Sequence, residues 1–313
     1  MLPNKYCEAF LAVAEHGSFD LAATQLCITA SAVTLRVQAL EKQLGHILIL
    51  RERPCRVTTV GQTLLEHLQH QRLMEDHLLQ QLQGKNSSTS FYKINIATNA
   101  DSLATWLLSS IQQTLIKEQI TVNLIIDDQS KTHQLLENGL VNACISAEAK
   151  NIKGCIAHHL GDMTYKMVAT PEFKKTWFSA GISRKTLSHA PAIIFNKDDQ
   201  LHEEMTLSLF GLNMQQYPYH FIPSSTAFLH AIELGLGFGL VPIMQAQQHL
   251  RQGTLIELIP EAKINVPLYW HYWKQQSQPL HLLTKAMIEL ASPMLCNTST
   301  NFTSSSTGLK SED

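Results

Sequence analysis

"SFDLAATQLCITASAVTLRVQALEKQLG" (Ser18–Gly45) is the stretch that decides how the chain begins to fold. Ser18 stands where a helix N-cap belongs, and FDLAATQL follows it. Cys27 and Ile28 read as a tight turn, with Thr29 as the cap of a second helix. In that helix Val33, Val37, Leu40 and Leu44 recur at i, i+4, i+7 and i+11, one apolar stripe that Gly45 closes. Two short helices across so short a turn predict a helix-turn-helix.

The flanks agree with it. Upstream, Tyr6, Phe10 and Val13 space one apolar face that Gly17 ends. Glu8 and Glu15 inside that pattern make it an amphipathic helix rather than a signal peptide. Downstream, "HILILRERPCRVTTVG" (His46–Gly61) reads as an apolar strand, a basic turn holding Pro54, and a second short strand, the shape of a wing. From Thr58 to Gln83 there is no proline and no glycine after Gly61, which predicts one long helix. Its leucines (64, 65, 68, 73, 78, 79 and 82) give an imperfect heptad seam, interrupted by Gln71 and Glu75. "GKNSSTS" (Gly84–Ser90) has the composition of a linker.

Beyond the linker, strand and helix patterns alternate. Strands are expected near 93–98, 120–126, 142–146, 165–169, 192–196, 219–222, 238–241, 254–258 and 267–273. Helices are expected near 102–117, 130–138, 172–180, 200–210, 225–235, 242–251 and 280–291. Alternation of this kind predicts an α/β architecture with largely parallel sheets. The expected organisation is a winged helix-turn-helix at 1–57, a long helix and hinge at 58–90, and an α/β domain at 91–293. A Ser/Thr-rich tail at 294–313 is expected to be disordered.

At 313 residues with 44% hydrophobic content the chain can bury more than one core. Its net charge of −2 argues against a protein that coats nucleic acid without selection. Yet between Ser31 and Arg56 the charges are Arg36, Lys42, Arg51, Arg53 and Arg56 against Glu41 and Glu52. The cysteines (7, 27, 55, 144, 155 and 296) form no C-x-x-C pair and no metal-like spacing, and scattered thiols suit a reducing compartment. No run reaches the apolar length of a membrane span. A cytoplasmic, nucleoid-associated protein with no membrane partner, no metal and no cofactor is expected.

A recognition helix presents to the major groove the face opposite its buried stripe. Here that face offers Ser31, Thr34, Leu35, Gln38 and Lys42, with the cap Thr29 at its start and Arg36 at its side. Hydroxyl and amide groups can read base edges, and Arg and Lys can grip phosphates. Arg51, Arg53 and Arg56 on the wing would hold the backbone or the minor groove. The plain alternative is a solvated helix face beside an ordinary basic turn. The whole order of helix, capped turn, helix, basic wing and long helix favours double-stranded DNA.

"FDLAATQLCITASAVTLRVQALEKQLGHILILR" and "TTVGQTLL" resemble the LysR-type transcriptional regulators. "LCITASAV", "RERPCRVTTVGQ", "NADSLATWLL" and "YWH" look like the branch of that family that controls arginine and lysine export (ArgP/LysG). The resemblance covers nearly the whole chain. It implies an N-terminal winged helix-turn-helix, a dimerising linker helix and a two-lobed α/β effector domain of the periplasmic-binding-protein kind. The lobes would comprise about 91–163 with 266–293, and about 164–265. It also implies a homodimer or homotetramer on promoter DNA, RNA polymerase as a further partner, and no enzymatic activity. The chain departs from the family in carrying Ala30 in place of Gln, Thr34 in place of Ser, and Leu35 in place of Gln or Arg. A different or more relaxed operator is the consequence expected.

"INIATNADSLATWLLSSI" (Ile94–Ile111) is where the effector reading starts. A strand that ends in a polar turn and enters a helix puts backbone N–H groups beside a crevice, where an α-carboxylate can bind. Thr98, Asn99, Asp101, Ser102 and Trp106 fall there, with Asp101 or Ser102 as a simple N-cap the alternative. Other polar groups stand at equivalent strand ends: Asp127 and Asp128, Ser146, Asn196 with Asp198 and Asp199, and Ser224 with Ser225. Carboxylates gathered on one cleft repel one another unless a cation sits among them, so lysine or arginine suits the site. Asp101, Asp128 and Asp199 are the aspartates expected to reach it. A ligand-independent architectural DNA binder and a free-standing amino-acid-binding protein are the rival readings.

"ELGLGFGLVP" lacks the G-x-G-x-x-G spacing and follows a helix, so a helix end and a tight turn are expected there instead of a dinucleotide site. His67, His70 and His77, and the pair at 158–159, have no ligand-pattern partners.

Overall fold

The computed structural model describes residues 3–83, 91–128 and 131–296. The linker 84–90, the side chains of Leu73, Leu78, Leu79 and Leu82 and the tail from 297 onward lie outside the described residues.

The N-terminal unit consists of α1 (Asn4–His16), α2 (Phe19–Gln25), α3 (Ala30–Leu44), β1 (Ile49–Leu50), β2 (Arg56–Val57) and α4 (Thr59–Gln83). Its helix boundaries are the ones its caps dictate. Ser18 Oγ accepts from the Leu21 N–H and Thr29 Oγ1 from the Ala32 N–H, while Gly17 and Gly45 end α1 and α3 in the left-handed conformation. Cys27 takes a positive φ of 53° in the turn between α2 and α3. Phe10, Val13, Val33, Val37, Leu40 and Leu48 are fully buried and form one core, against which Leu64 and Leu65 of α4 pack.

The wing is an antiparallel pair, Ile49 opposite Val57 and Leu50 opposite Arg56. Its position is fixed from both sides. Glu41 of α3 accepts from the N–H groups of Leu48 (2.9 Å) and Ile49 (3.3 Å). Thr58 donates its N–H to Leu48 O at 2.9 Å and its hydroxyl to Ile47 O at 2.8 Å. Gly61 then lies so close to the wing that a Cβ there would stand 2.2 Å from Leu48 O.

The chain from residue 91 onward forms β3 (Tyr92–Thr98), α5 (Ala100–Thr105), α6 (Leu107–Lys117), β4 (Ile120–Ile126), α7 (Thr132–Glu137), β5 (Ala143–Ser146) and β6 (Cys155–Ala169). It continues through α8 (Pro171–Trp177), α9 (Arg184–Leu187), β7 (Ala192–Ile194), α10 (Gln200–Phe210), β8 (Tyr219–Phe221), α11 (Ser225–Glu233) and β9 (Gly239–Pro242). It closes with α12 (Ile243–Gln252), β10 (Ile256–Glu257), β11 (Ile264–Trp273) and α13 (Gln278–Cys296).

One mixed sheet runs β10-β6-β11-β5-β3-β4, with β9 also on β6, and β7 pairs β8 in parallel. This corrects the expectation of largely parallel sheets. β3 is parallel to β4 and β5, but β6 and β11 are antiparallel to each other and to the other strands they pair with. The strand expected at 165–169 begins at Cys155. Its register with β11 slips between Leu268 and Tyr269, where Leu160 is the extra residue of a bulge. Tyr165 is the hinge of this arrangement: it pairs with Ile264 of β11 and with Pro242 of β9, so β6 carries the chain from one half of the sheet to the other there. Two further corrections concern helices. The helix expected at 102–117 is broken at Trp106 into α5 and α6, and α13 runs past Pro293 to Cys296, into the tail expected to be disordered.

Candidate functional site

Two sets of side chains invite a functional reading, one in each unit. In the first, α3 turns Ser31, Leu35, Gln38 and Lys42 outward as an exposed stripe, and Thr34 and Arg36 are half-buried beside it. Thr29 is engaged as the N-cap. On the wing Arg51, Arg53 and Arg56 are all exposed. The Arg51 guanidinium lies 5.4 Å from the centre of the Phe19 ring, a cation–π contact that holds it against the first helix of the motif. Arg56 reaches Glu52 at 4.0 Å, a surface pair of little energetic weight.

In the second unit, Asp101 is the centre. It stands one residue into α5, and both its carboxylate oxygens accept short hydrogen bonds from buried hydroxyls. Tyr165 of β6 donates to Oδ2 at 2.8 Å, and Ser225 of α11 donates to Oδ1 at 2.6 Å. Gln245 of α12 braces Ser225, donating its Nε2 to the Ser225 carbonyl at 3.0 Å, with its Oε1 3.2 Å from the hydroxyl. Four elements therefore converge on one carboxylate. Burial pushes the Asp101 carboxyl up from its ordinary range and the charge of Asp199 adds to this, while the hydrogen bonds from Ser225 and Tyr165 pull it down. Burial first, and then the charge of Asp101, hold the Tyr165 hydroxyl firmly protonated, so it serves as a donor.

The other residues of the sequence-predicted site occupy varied positions. Asn99, not Asp101 or Ser102, is the N-cap of α5: its Oδ1 accepts from the Ser102 N–H at 2.8 Å. Ser102 Oγ is buried and makes no hydrogen bond among the described residues. Thr98 is buried and donates to the Asn99 carbonyl at 3.3 Å. Trp106 is 1% exposed and belongs to the hydrophobic core. Asp128 follows β4, and its carbonyl accepts from the N–H groups of Lys131 and Thr132. Ser146 Oγ accepts from the Glu148 N–H, and Asn196 Oδ1 from the Asp198 N–H.

Asp199 caps α10, its oxygens accepting from the His202 N–H (3.2 Å) and the Phe195 N–H (3.1 Å). It is near enough to act on Asp101, Tyr165 and His202 electrostatically. His202 is buried, its ring nitrogens unpaired among the described residues, and burial takes it down to about 4 against the pull of Asp199. Tyr165 and Gln245 were absent from the sequence-predicted site. Tyr165 lies in "TYKMVA" between Thr164 and Lys166, and nothing local sets its hydroxyl apart. Two cavities of about 490 Å³ lie elsewhere, one against Arg184, Lys185 and Gln216, the other against Lys174, Phe210 and Pro260.

A winged helix-turn-helix followed by a separate α/β unit is the architecture of a two-part DNA-binding regulator, and comparison with known proteins specifies it. Residues 5–62 match the bacterial regulatory helix-turn-helix protein model of the lysR family, and residues 93–293 match the LysR substrate binding domain. The chain belongs to the LysR family of bacterial transcriptional regulators. Within that family it is similar to regulators of the ArgP/LysG type. The HTH-type transcriptional regulator ArgP of Photobacterium profundum is 37% identical over 92% of this chain and 96% of its own. The crystal structure of ArgP from Mycobacterium tuberculosis superposes with a TM-score of 0.78 at 34% identity, covering 93% of this chain and 98% of that one. Full-length LysG from Corynebacterium glutamicum, solved with the effector Arg bound, gives a TM-score of 0.72 at 30% identity over 93% of this chain and 98% of that one.

Proposed function

We propose that this LysR-type regulator reads promoter DNA through α3 and the wing, and responds to a basic amino acid, lysine or arginine, held at Asp101. The observation that carries the effector reading is the state of that carboxylate. It sits among buried hydroxyls and within electrostatic reach of Asp199, and no ion pair among the described residues involves it. Removing a carboxylate from water and setting a second one nearby is unfavourable until a cation arrives. An ammonium or guanidinium group supplies it. Ser102 Oγ, buried without a partner among the described residues, is a donor of the type a ligand α-carboxylate accepts. Thr98, Asn99, Asp128, Ser146, Asn196 and Asp199 would frame the same site, and Trp106 would back it from the core. The Arg bound in LysG supports the same ligand chemistry.

On this reading the chain is a cytoplasmic homodimer or homotetramer joined through α4, and it controls amino-acid export or related genes. Exposed Arg51, Arg53 and Arg56 would take phosphates, and Ser31, Thr34 and Gln38 would take base edges. Calorimetry of the full chain with arginine and lysine, with leucine as control, tests the effector site; a footprint on a promoter fragment with and without ligand tests the coupling. Heat with the basic amino acids alone and a shifted footprint are expected. No heat and an unchanged footprint would leave an architectural DNA binder. Replacing Arg51, Arg53 or Arg56 by Ala is expected to lower the slope of log affinity against log salt by about 0.9 for each phosphate no longer neutralised.

A further inference from the structure

The exposed stripe of α3 contains one residue that cannot do what its neighbours do. Ser31, Leu35, Gln38 and Lys42 repeat the i, i+4, i+7, i+11 spacing of the inward stripe of buried Val33, Val37 and Leu40 and half-buried Leu44, displaced by two residues and so turned to the opposite side of the helix. Leu35 is 66% exposed at the centre of that stripe, between a hydroxyl and an amide. A single exposed leucine on a protein surface needs no explanation. One that interrupts the polar face of the helix predicted to enter the major groove has a specific consequence. It can neither donate nor accept a hydrogen bond, so it is blind to most of the pattern on the base edges. The apolar feature of that groove is the C5 methyl group of thymine.

We propose that Leu35 is a specificity-determining residue that selects thymine by packing on its C5 methyl, while Ser31 and Gln38 address the hydrogen-bonding edges on either side. The proposal rests on α3 being the helix that docks in the groove. Cytosine at the same place lacks the methyl, so the preference for thymine over cytosine follows from the same contact.

The test uses the full chain and duplexes enriched from a random pool by their binding to it, with each thymine of the recovered motif replaced in turn by deoxyuridine. At one thymine, removal of the methyl is expected to weaken binding about fourfold, the worth of one buried methyl group. Leu35→Ala should weaken binding to the thymine duplex by the same factor and leave no difference between thymine and uracil. Leu35→Met, which keeps an apolar contact, should retain the difference. Both variants alter an exposed side chain, and an unchanged melting temperature checks that they fold. Equal sensitivity to uracil in the wild type and Leu35→Ala, or no sensitive thymine at all, overturns the proposal. Lys42→Ala reports the docking of α3 separately: a uniform weakening on every duplex supports it, and a silent Lys42→Ala removes the docking and the methyl contact together.

Discussion

Asp101→Asn replaces one carboxylate oxygen by an amide nitrogen and leaves the shape of the side chain unchanged, which makes it the sharpest perturbation of the proposed effector site. The amide oxygen can keep the hydrogen bond from Tyr165, now 2.8 Å to Oδ2. The NH2 group then donates to Ser225 Oγ, and Ser225 turns its own proton to Gln245 Oε1, 3.2 Å away. Every polar group stays paired, so the cost is the difference between charge-assisted and neutral hydrogen bonds, offset by removal of an unfavourably placed charge. Stability is expected to change by less than about 1 kcal/mol. Asp101→Ala differs in kind, because it leaves the buried Tyr165 hydroxyl without its acceptor, and should cost about 1–3 kcal/mol. For a cationic ligand the order reverses in importance. Removing one partner of a largely desolvated charge pair costs about 2–5 kcal/mol, and Asp101 is partly exposed, so the low end applies. A loss of about 2–3 kcal/mol weakens arginine binding about 30- to 150-fold. Titration calorimetry beside thermal melts of both variants reads the two quantities. Asp101→Asn binding arginine within threefold of the wild type would refute the ion pair; Asp101→Asn melting as low as Asp101→Ala would refute the rearranged hydrogen bonds.

Three further outcomes are expected. A bound cation favours the ionised form of Asp101, whose carboxyl is raised, so binding expels a proton; arginine affinity should fall by up to about tenfold per pH unit below that raised range and lose this dependence in Asp101→Asn, as read by calorimetry in buffers of different ionisation enthalpy. His202 titrates near about 4 in the folded protein against 6.5 for a free histidine, so the unfolded chain takes up the proton first; stability should be intact above 6.5 and drop as the pH falls toward about 4, and His202→Phe, whose ring would lie beside Tyr217 and Phe238, should flatten that part of a melting-temperature profile. Gly61→Ala places a Cβ 2.2 Å from a carbonyl already bonded to the Thr58 N–H, so the wing must shift away from α4; a loss of about 1–3 kcal/mol is expected in denaturant melts, and an unchanged midpoint would refute the close packing.

The helix-turn-helix was legible because everything that sets it is local. Ser18 and Thr29 cap within three residues, and Gly17 and Gly45 stop helices where their φ values require. Periodicity of 3.6 then chose the buried face without reference to the rest of the chain. The large sheet was less legible. Polar His158 and His159, then the bulge at Leu160, break the alternation that marks a strand, so only the end of β6 was apparent. The run 147–154 between β5 and β6 holds no helix, and such a connection does not produce the parallel crossover that alternation elsewhere suggested. The helix expected at 280–291 continues across Pro293 because Leu280, Leu283, Met287, Ala291 and Leu295 form one buried stripe across it, and their packing outweighs the missing hydrogen bond. At the proposed effector site Asp101 was singled out from its strand-end position. Its partners were not, since Tyr165 and Ser225 lie 64 and 124 residues away and no local pattern couples them to it.

Those distant partners bear on how a ligand could act. Two ionised oxygens offer about four lone-pair sites, and the hydroxyls of Tyr165 and Ser225 occupy two. An arriving ammonium or guanidinium can use the remaining sites without evicting either hydroxyl, so it meets a carboxylate that is already oriented and the ordering has been done beforehand. Pre-organisation alone, however, raises affinity without regulating anything, because a ligand shifts an equilibrium only by binding one state better than the other. The arrangement supplies that difference in one way: Asp101 belongs to α5, whereas Ser225 and Gln245 belong to α11 and α12. A state in which these elements separate deprives the carboxylate of one donor and exposes it to water, where it pairs with a cation weakly. On the proposed reading a cationic ligand would favour the arrangement in which these elements meet, by the surplus of a desolvated pair over an exposed one, and Ser225, touching both Asp101 and Gln245, would be the residue through which that surplus reaches α12.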